Sequence, residues 1–211
     1  MSVFDQKYWD EMYAEEDGAE IDGIHNAKEH ARYLKSILDY AGVEVNSIGD
    51  FGFGKAVLLH EIVKEFKPNR IFALDPSLEA VKNLENKRWI KNRKHKILRN
   101  SLENFNDTKI KRPFDLGICN SIFQYIPTKD VSNCYKKLSK LCKYLYFSVP
   151  TQLDYEYMKK ELHFIDTYAN SRKKEFYLKA LQPYFSIVSH NLLESKTHIK
   201  ESGFVYEFFR F

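Results

Sequence analysis

The stretch that decides the fold is Asp50-Phe51-Gly52-Phe53-Gly54-Lys55-Ala56. It lies between a short predicted strand around Ile48 and a helical pattern that Pro68 ends. Its two glycines let the backbone approach a ligand where a Cβ would clash. Backbone amides at the start of the helix can meet an anionic group such as an amino-acid carboxylate. Asp50 closes the strand, where it can accept a hydrogen bond from an ammonium group or hold the loop.

A second carboxylate, Asp75, closes the next predicted strand, residues 70–74. In doubly wound sheets an acid about 20 residues beyond a glycine loop hydrogen-bonds ribose hydroxyls, and Asp75 has this spacing from Gly54. A carboxylate suits that task because it can accept two hydrogen bonds side by side. Ser77 follows as a predicted helix N-cap. Together the two acids predict an adenosine-type ligand at the carboxyl ends of the strands.

Strands and helices alternate along the rest of the chain. Five alternations predict a parallel sheet with right-handed crossovers. The later strands are predicted around Ile97 and at residues 114–119, 144–149, 185–193 and 204–211. The linker between the last two is too short for a crossover, so they must pair as an antiparallel hairpin. The fold class is therefore α/β, a single doubly wound, mostly parallel seven-stranded sheet that ends in a C-terminal antiparallel hairpin.

These features together resemble the class I methyltransferases that use S-adenosylmethionine (SAM). Residues 50–54 resemble the family's D-x-G-x-G motif, Asp75 resembles its second acidic position, and the hairpin resembles the end of its sheet. The resemblance covers about residues 45–149 and the hairpin, and its short motifs identify the superfamily rather than a member. It implies a Rossmann-like methyltransferase fold, SAM as cofactor, and methyl transfer to an oxygen or nitrogen atom of a small molecule.

The resemblance also implies which residues contact the cofactor. The segment 119–125 resembles the part of the family that lines the methionine end of SAM. The implied contacts are Asp50, Phe51, Gly52, Gly54, Asp75, Pro76, Ser77, Ser101, Leu102, Asn120 and Ser121. Ala56 stands where the family often has glycine, which is tolerated unless φ is positive there. Ser101 stands in place of an adenine-side acid and can still meet the adenine amino group, though less strongly than a carboxylate.

The methyl acceptor and the catalytic residues are not identified by any motif. Gln124 and Tyr125 are predicted to face the acceptor, and Tyr8 and Tyr13 to close the pocket or, equally, to pack in an amphipathic helix. Candidates for a catalytic role are Tyr13, His25 and His163. Further candidates for the acceptor side, or for a proton acceptor, are His30, Arg32, Tyr168 and Arg172. A surface or packing role is the default for each of them. We expect one domain with N-terminal cap helices (1–44), a cofactor-binding core (45–150), a helical acceptor-side insertion (151–183) and the hairpin (184–211).

Two alternatives belong to other functional classes. A nicotinamide-dependent oxidoreductase would need a third glycine where Val57 stands, and its fingerprint has no acid directly before the glycines. A non-catalytic binding protein would keep the sheet but have a filled or shallow pocket, and Ser101 keeps this alternative open. Stabilisation by SAM or its demethylated product separates such a binding protein from a methyltransferase.

Composition restricts location and partners. The 211 residues carry a mild net charge of +4, and the three cysteines form no CxxC pair. The polar, acidic start and the lack of a long apolar run predict a cytoplasmic protein without a membrane span. A basic run, residues 87–99, surrounds Trp89; we interpret it as a solvated surface rather than a nucleic-acid contact. No metal is predicted, because the histidines and cysteines lack ligand spacing. Nothing in the sequence indicates an oligomeric state.

Overall fold

The fold is described from a computed structural model, which covers residues 24–163 and 166–204. In chain order these residues form α1 (Ile24–Tyr40), β1 (Ser47–Phe51), α2 (Val57–Phe66), β2 (Arg70–Asp75), α3 (Leu78–Glu85), α4 (Arg88–Lys91), β3 (Lys94–Arg99), a 3-10 turn (Asp107–Lys109), β4 (Phe114–Asn120), α5 (Val131–Leu141), β5 (Cys142–Ser148), α6 (Gln152–Glu161), α7 (Lys174–Leu181), β6 (Phe185–Ser189) and β7 (Leu192–Ser195).

The strands form one seven-stranded sheet in the order β3-β2-β1-β4-β5-β7-β6. Strands β1 to β5 are parallel, and β7 is antiparallel to both β5 and β6. The predicted mostly parallel sheet with a C-terminal hairpin is confirmed. The strand order reverses at β1, which has β2 on one side and β4 on the other. Ligands of open α/β sheets bind at such a switch point, outside the carboxyl ends of the strands.

One of the two strands predicted for the hairpin has different bounds in the structure. The sixth strand, predicted as one run over residues 185–193, is two strands that turn at His190 and Asn191. Asn191 makes this turn in the left-handed conformation, φ 54, which asparagine tolerates better than most residues. The run between Phe185 and Leu193 has neither glycine nor proline, so its apolar residues predict one continuous strand. Phe204 lies in a bend outside any strand, and residues 205–211 lie outside the described residues.

Two apolar layers cover the sheet. On one face Leu34 and Leu38 of α1 and Leu59 of α2 are fully buried against Ile48 of β1 and its neighbours. On the other face the helices α5 and α7 pack on a second cluster, which includes Leu138 of α5. Because both faces are covered, strands β1, β2, β4 and β5 are buried over most of their length. This core holds the carboxyl edge of the sheet, where the site lies.

The basic run forms the outer edge of the sheet, because β3 is the terminal strand on that side. Its Lys94, His95 and Lys96 side chains are exposed. The Trp89 ring is not presented for stacking on bases: it stacks on His60 of α2, with ring centroids 4.9 Å apart, and packs against the core. This geometry favours the solvated-surface interpretation. No helix in the described part of the chain has the length and apolar character to cross a membrane.

Candidate functional site

A cavity of about 400 Å³ opens at the carboxyl edge of the sheet. The residues that follow β1, β2, β3 and β4 all contribute to its wall, together with α1, β5, α6 and the β6–β7 turn. Of the sequence-predicted cofactor contacts, Asp50, Phe51, Gly52, Gly54, Asp75, Pro76, Ser101, Leu102, Asn120 and Ser121 line it. The structure therefore brings together residues that are up to 71 positions apart in the sequence by ending parallel strands at one edge.

The glycine loop after β1 needs left-handed backbone at three positions. Gly52 has φ 103, Gly54 φ 51 and Ala56 φ 59. Glycine adopts such angles without cost, whereas alanine at position 56 is in a conformation that costs roughly 1–2 kcal/mol. The tolerance of Ala56 assumed φ below zero, so the structure contradicts that assumption. Ala56 also provides no side-chain oxygen to cap α2, which leaves amides of the first turn for a ligand or water.

Two observations favour glycine at position 52: its positive φ and the close approach of a neighbouring side chain. A Cβ built on Gly52 would collide with the Cγ1 and Cδ1 atoms of Ile122, which follows β4. The Gly52 amide donates to the Leu74 carbonyl at 2.6 Å, so the loop cannot easily move away. The glycine loop and the loop after β4 are thus in direct contact at the cavity wall.

Asp75 is 4% exposed, and its carboxylate faces the glycine loop. The Gly54 amide donates to Oδ2 at 2.9 Å, and the Ser77 amide donates to Oδ1 at 2.8 Å. Burial raises the pKa of Asp75 to about 6, although these two hydrogen bonds act in the opposite direction. A carboxylate can accept about four hydrogen bonds, so Asp75 keeps capacity for hydroxyl donors of a ligand.

Asp50 is 3% exposed and lies beside Asp75 at the cavity wall. Burial raises its pKa well above the ordinary value, and the Asp75 charge raises it further. No hydrogen bond within the described part of the chain offsets these two effects. A buried carboxyl of this kind is stabilised as an anion by a positively charged partner. The position therefore fits an ammonium group supplied by a ligand.

The loop after β3 forms the wall beyond Asp75. Ser101 and the buried Leu102 line the cavity there, and the Ser101 hydroxyl accepts a hydrogen bond from Asn104 at 2.9 Å. Lys137 of α5, the helix that packs in the same apolar cluster as Leu102, binds this loop. Its Nζ donates to the carbonyls of Leu102 at 2.7 Å, Glu103 at 3.1 Å and Phe105 at 2.7 Å. The loop is thus held by a cation that does not line the cavity.

The loop after β4 is held in the same way by Arg172. Its guanidinium donates to the carbonyls of Phe123 at 2.9 Å and Ile126 at 2.7 Å and to the Thr128 hydroxyl at 3.1 Å. Arg172 was predicted on the acceptor side, but it does not line the cavity. The buried guanidinium is bound to this loop and lies over the Phe176 ring, 5.2 Å from its centroid. Its contacts assign it a positioning role.

Gln124 and Tyr125, which this loop carries, do line the cavity as predicted for the acceptor side. Gln124 is 3% exposed, and its Oε1 atom has no hydrogen-bond partner in the described part of the chain. The Tyr125 hydroxyl donates to Asp166 at 2.6 Å. Of these two side chains, Gln124 therefore has an amide oxygen available to a ligand.

His30 and Tyr146 form a pair at the far end of the cavity from Ser101. His30 lies on α1 and Tyr146 on β5, and His30 Nδ1 is 3.0 Å from the Tyr146 hydroxyl. Burial lowers the pKa of His30, and the nearby His190 lowers it further. The sequence pattern indicated His30 only as one of several histidines, and Tyr146 and Asn191 were missed. The one signal for Tyr146 was the strand period, which puts it on the same face as Ser148.

Other predicted site residues lie elsewhere. Ser77, predicted both as a cofactor contact and as a helix N-cap, does not line the cavity. It caps α3, because its hydroxyl accepts a hydrogen bond from the Ala80 amide at 3.2 Å. Phe51 is among the cavity-lining residues, and its ring packs with Phe72 and Phe114 in the core. His163 is exposed after α6 and does not line the cavity.

Three predicted residues cannot be placed in the site. Tyr8 and Tyr13 lie outside the described residues, and of His25 the structure describes only the backbone, in the first turn of α1. Within residues 24–163 and 166–204, no group of three His, Cys, Asp or Glu side chains is arranged to hold a metal ion.

The sequence itself identifies no relatives: no protein-family model matches it, and no curated protein matches it significantly. The structure does have similar solved structures. Magnesium protoporphyrin IX methyltransferase from Synechocystis PCC 6803 with bound SAH has a TM-score of 0.58 and 16% identity, covering 90% of this chain and 92% of that one. A SAM-dependent methyltransferase from Clostridium acetobutylicum ATCC 824 has a TM-score of 0.59 and 16% identity, covering 72% and 77%.

A SAM-dependent methyltransferase from Leishmania major has a TM-score of 0.62 and 14% identity, covering 83% of this chain and 69% of that one. Structural similarity at such low sequence identity establishes the fold alone. The activity of this chain has to be argued from its own site. The similarity to these structures and the resemblance of residues 50–54 agree with each other. The chain therefore has the fold of the class I SAM-dependent methyltransferases.

Proposed function

We propose that the chain binds SAM in the cavity and transfers its methyl group to an oxygen or nitrogen atom of a small-molecule acceptor. The observation that carries this proposal is the convergence of Asp50, Asp75 and the two loop glycines on one open cavity. When bound, SAM supplies an activated methyl group on its sulfonium, so the protein needs mainly to position the reactants.

The chain's own groups match the parts of SAM in order across the sheet. Asp75 offers carboxylate oxygens to the ribose hydroxyls, and Ser101 and Leu102 lie beyond it toward the adenine. Asp50 offers a buried anion to the amino-acid ammonium. The uncapped first turn of α2 offers amides to the carboxylate. Gly52 keeps the backbone close to the ligand, because no Cβ stands between them.

The alternatives receive less support from the same observations. A binding protein that had lost the reaction is expected to have a filled pocket, whereas this cavity is about 400 Å³. A nicotinamide enzyme is disfavoured by Val57, which stands where its fingerprint has a third glycine, and by the C-terminal hairpin. We expect a small acceptor because the cavity is a pocket within one sheet edge.

Thermal unfolding with and without S-adenosylhomocysteine (SAH), the demethylated product, tests the proposal. At 100 times its Kd, SAH stabilises the native state by about 2.7 kcal/mol. For a chain of this size that corresponds to a rise in Tm of roughly 5–10 °C. Asp75→Asn should abolish the rise, because the asparagine amide turns a donor toward the Gly54 or Ser77 amide and loses the ribose acceptor.

Asp115→Asn is the matched control. Asp115 lies near the start of β4, at the opposite edge of the sheet, where it binds Ser47 and Lys143. Its variant should keep the SAH-induced rise even though its own Tm falls. If neither SAM nor SAH shifts the Tm of the unaltered chain, or if NAD does so instead, the proposed function is wrong.

A further inference from the structure

The strand order places His30 and Tyr146 at the acceptor end of the cavity. The ribose acid Asp75 ends β2 and the adenine-side residues follow β3, whereas Tyr146 lies in β5, on the other side of β1 and β4. Neighbouring strands are about 4.8 Å apart, so β5 lies roughly 19 Å from β3 across the sheet. A cofactor bound over β3, β2 and β1 therefore presents its reactive end toward β4 and β5.

This end of the cavity is neutral. The residues that line it from α1, β5, α6 and the β6–β7 turn include no Lys, Arg, Asp or Glu within the described ranges. Tyr146 and Met158 provide apolar surface there, and Asn191 and Ser148 provide uncharged polar groups. Anionic acceptors need a cationic or amide-rich wall, and cationic acceptors need an acid. A neutral acceptor with an apolar body fits this end best.

Two side chains at this end offer hydrogen-bond acceptors. The buried Oε1 of Gln124 has no partner in the described part of the chain. His30 Nδ1 lies 3.0 Å from the Tyr146 hydroxyl. When Nδ1 carries the hydrogen and donates it to Tyr146, Nε2 retains a lone pair that can accept a proton. The Gln124 oxygen therefore requires a donor from the bound molecule, such as a hydroxyl, and Nε2 can accept a proton from the same group.

We infer that His30, oriented by Tyr146, is the catalytic base for a neutral hydroxyl-bearing acceptor whose hydroxyl is aligned by Gln124. This inference rests on the proposed function. The acceptor O–H bond breaks as its proton moves to Nε2. The oxygen electron pair forms a bond to the methyl carbon, and the electrons of the carbon–sulfur bond stay on sulfur. The products are the methyl ether, SAH and an imidazolium, which then releases its proton to water.

The surroundings of His30 keep it ready for this step. Burial and the neighbouring His190 both lower its pKa, so the imidazole is neutral near pH 7 and available as a base. Tyr33 of α1 fixes the turn that carries His190, since its hydroxyl donates to the His190 carbonyl at 2.9 Å or to the Ser189 hydroxyl at 2.6 Å. Tyr146 is a positioning residue, because it acts through the imidazole.

A naphthol and the corresponding naphthoate are suitable probes, with radiolabelled SAM at saturating concentration. The naphthol should be methylated and the naphthoate should not. His30→Gln should lower kcat on the naphthol by about 100-fold or more, the range of a lost general base. His95→Gln, an exposed histidine on the outer strand β3, is the control and should leave kcat unchanged. All variants should keep the SAH-induced rise in Tm.

Two readouts separate catalysis from a structural role. With the unaltered chain, kcat should fall as pH decreases through a pKa below 6.5, and in Tyr146→Phe this inflection should move to lower pH because the imidazolium loses a hydrogen-bond acceptor. In the SAH-loaded protein, the naphthol should shift the His30 imidazole resonances.

The inference is wrong if His30→Gln keeps its kcat, if the naphthoate is preferred, or if the naphthol neither binds nor reacts while SAH still stabilises the protein. A chain that SAH does not stabilise would instead contradict the proposed function itself.

Discussion

The buried carboxyl of Asp50 lowers the stability of the folded chain when it ionises. Its pKa is raised by burial and by the Asp75 charge, so its ionisation opposes folding. Below the ordinary value of 3.8 the carboxyl is protonated in both the folded and the unfolded state. As pH rises above 3.8 toward the folded pKa, the unfolded state releases its proton first, and the free energy of unfolding falls. Above the folded pKa the loss is complete.

Asp50→Asn should therefore raise the Tm of the ligand-free protein at pH 8, and by less at pH 5, while SAH binding weakens. Asp115→Asn should have the opposite effect. Burial raises the pKa of Asp115, but hydrogen bonds from Lys143, Ser47 and the Asn46 amide outweigh it, so the pKa is lowered. That stabilisation is present above the unfolded pKa and is lost as pH falls through the folded pKa. Calorimetry at both pH values measures these differences, and a destabilised Asp50→Asn would contradict this account.

The positions of single site residues could be predicted from the sequence where they belong to a local motif with a characteristic spacing. Gly52, Gly54 and Asp75 occur at the spacing of a glycine loop followed by a strand-end acid, so their place at the cavity could be predicted from the sequence. His30 and Tyr146 could not be identified in the same way. A tyrosine in a buried strand and a histidine on an amphipathic helix are ordinary core and surface residues until the fold brings them within 3.0 Å of each other.

Among the elements, the loops that follow β3 and β4 are each fixed by one cation from outside the cavity, Lys137 and Arg172. Each cation binds at least two backbone carbonyls of its loop, which contributes to their hydrogen bonding. Such clamps are invisible to pattern analysis, because lysine and arginine at helical spacing predict a solvated face. The turn between β6 and β7 also escaped prediction, because Asn191 makes it without the glycine that usually marks a hairpin turn.

Lys137→Met should weaken SAH binding by roughly tenfold. Without the Lys137 hydrogen bonds the loop after β3 is less ordered, and ordering it on binding costs about 1–2 kcal/mol. Lys136→Met is the matched control: it is the preceding residue of α5, its side chain is exposed, and it should bind SAH like the unaltered chain. Isothermal titration measures both. Equal affinities in the two variants would show that the loop does not depend on the clamp.

At the scale of the whole molecule, residues 24–163 and 166–204 form one sheet with an apolar layer on each face, and we propose that the protein unfolds as one domain. Leu34 belongs to the layer under α1 and Leu138 to the layer under α5, and both are fully buried. Leu34→Ala and Leu138→Ala should each lower the free energy of unfolding by about 2–5 kcal/mol. In each variant, tryptophan fluorescence and far-ultraviolet circular dichroism should report one coincident transition. Separate transitions would mean that the two layers fold as independent units.

The collision that a side chain at Gly52 would make with Ile122 ties two distant parts of the chain together. A lineage that gained a Cβ at position 52 would need the Ile122 side chain to change its rotamer or to be replaced by a smaller one, and would still carry the backbone strain at φ 103. Substitutions at positions 52 and 122 are therefore expected to occur together in evolution, with a larger residue at one position accompanied by a smaller residue at the other.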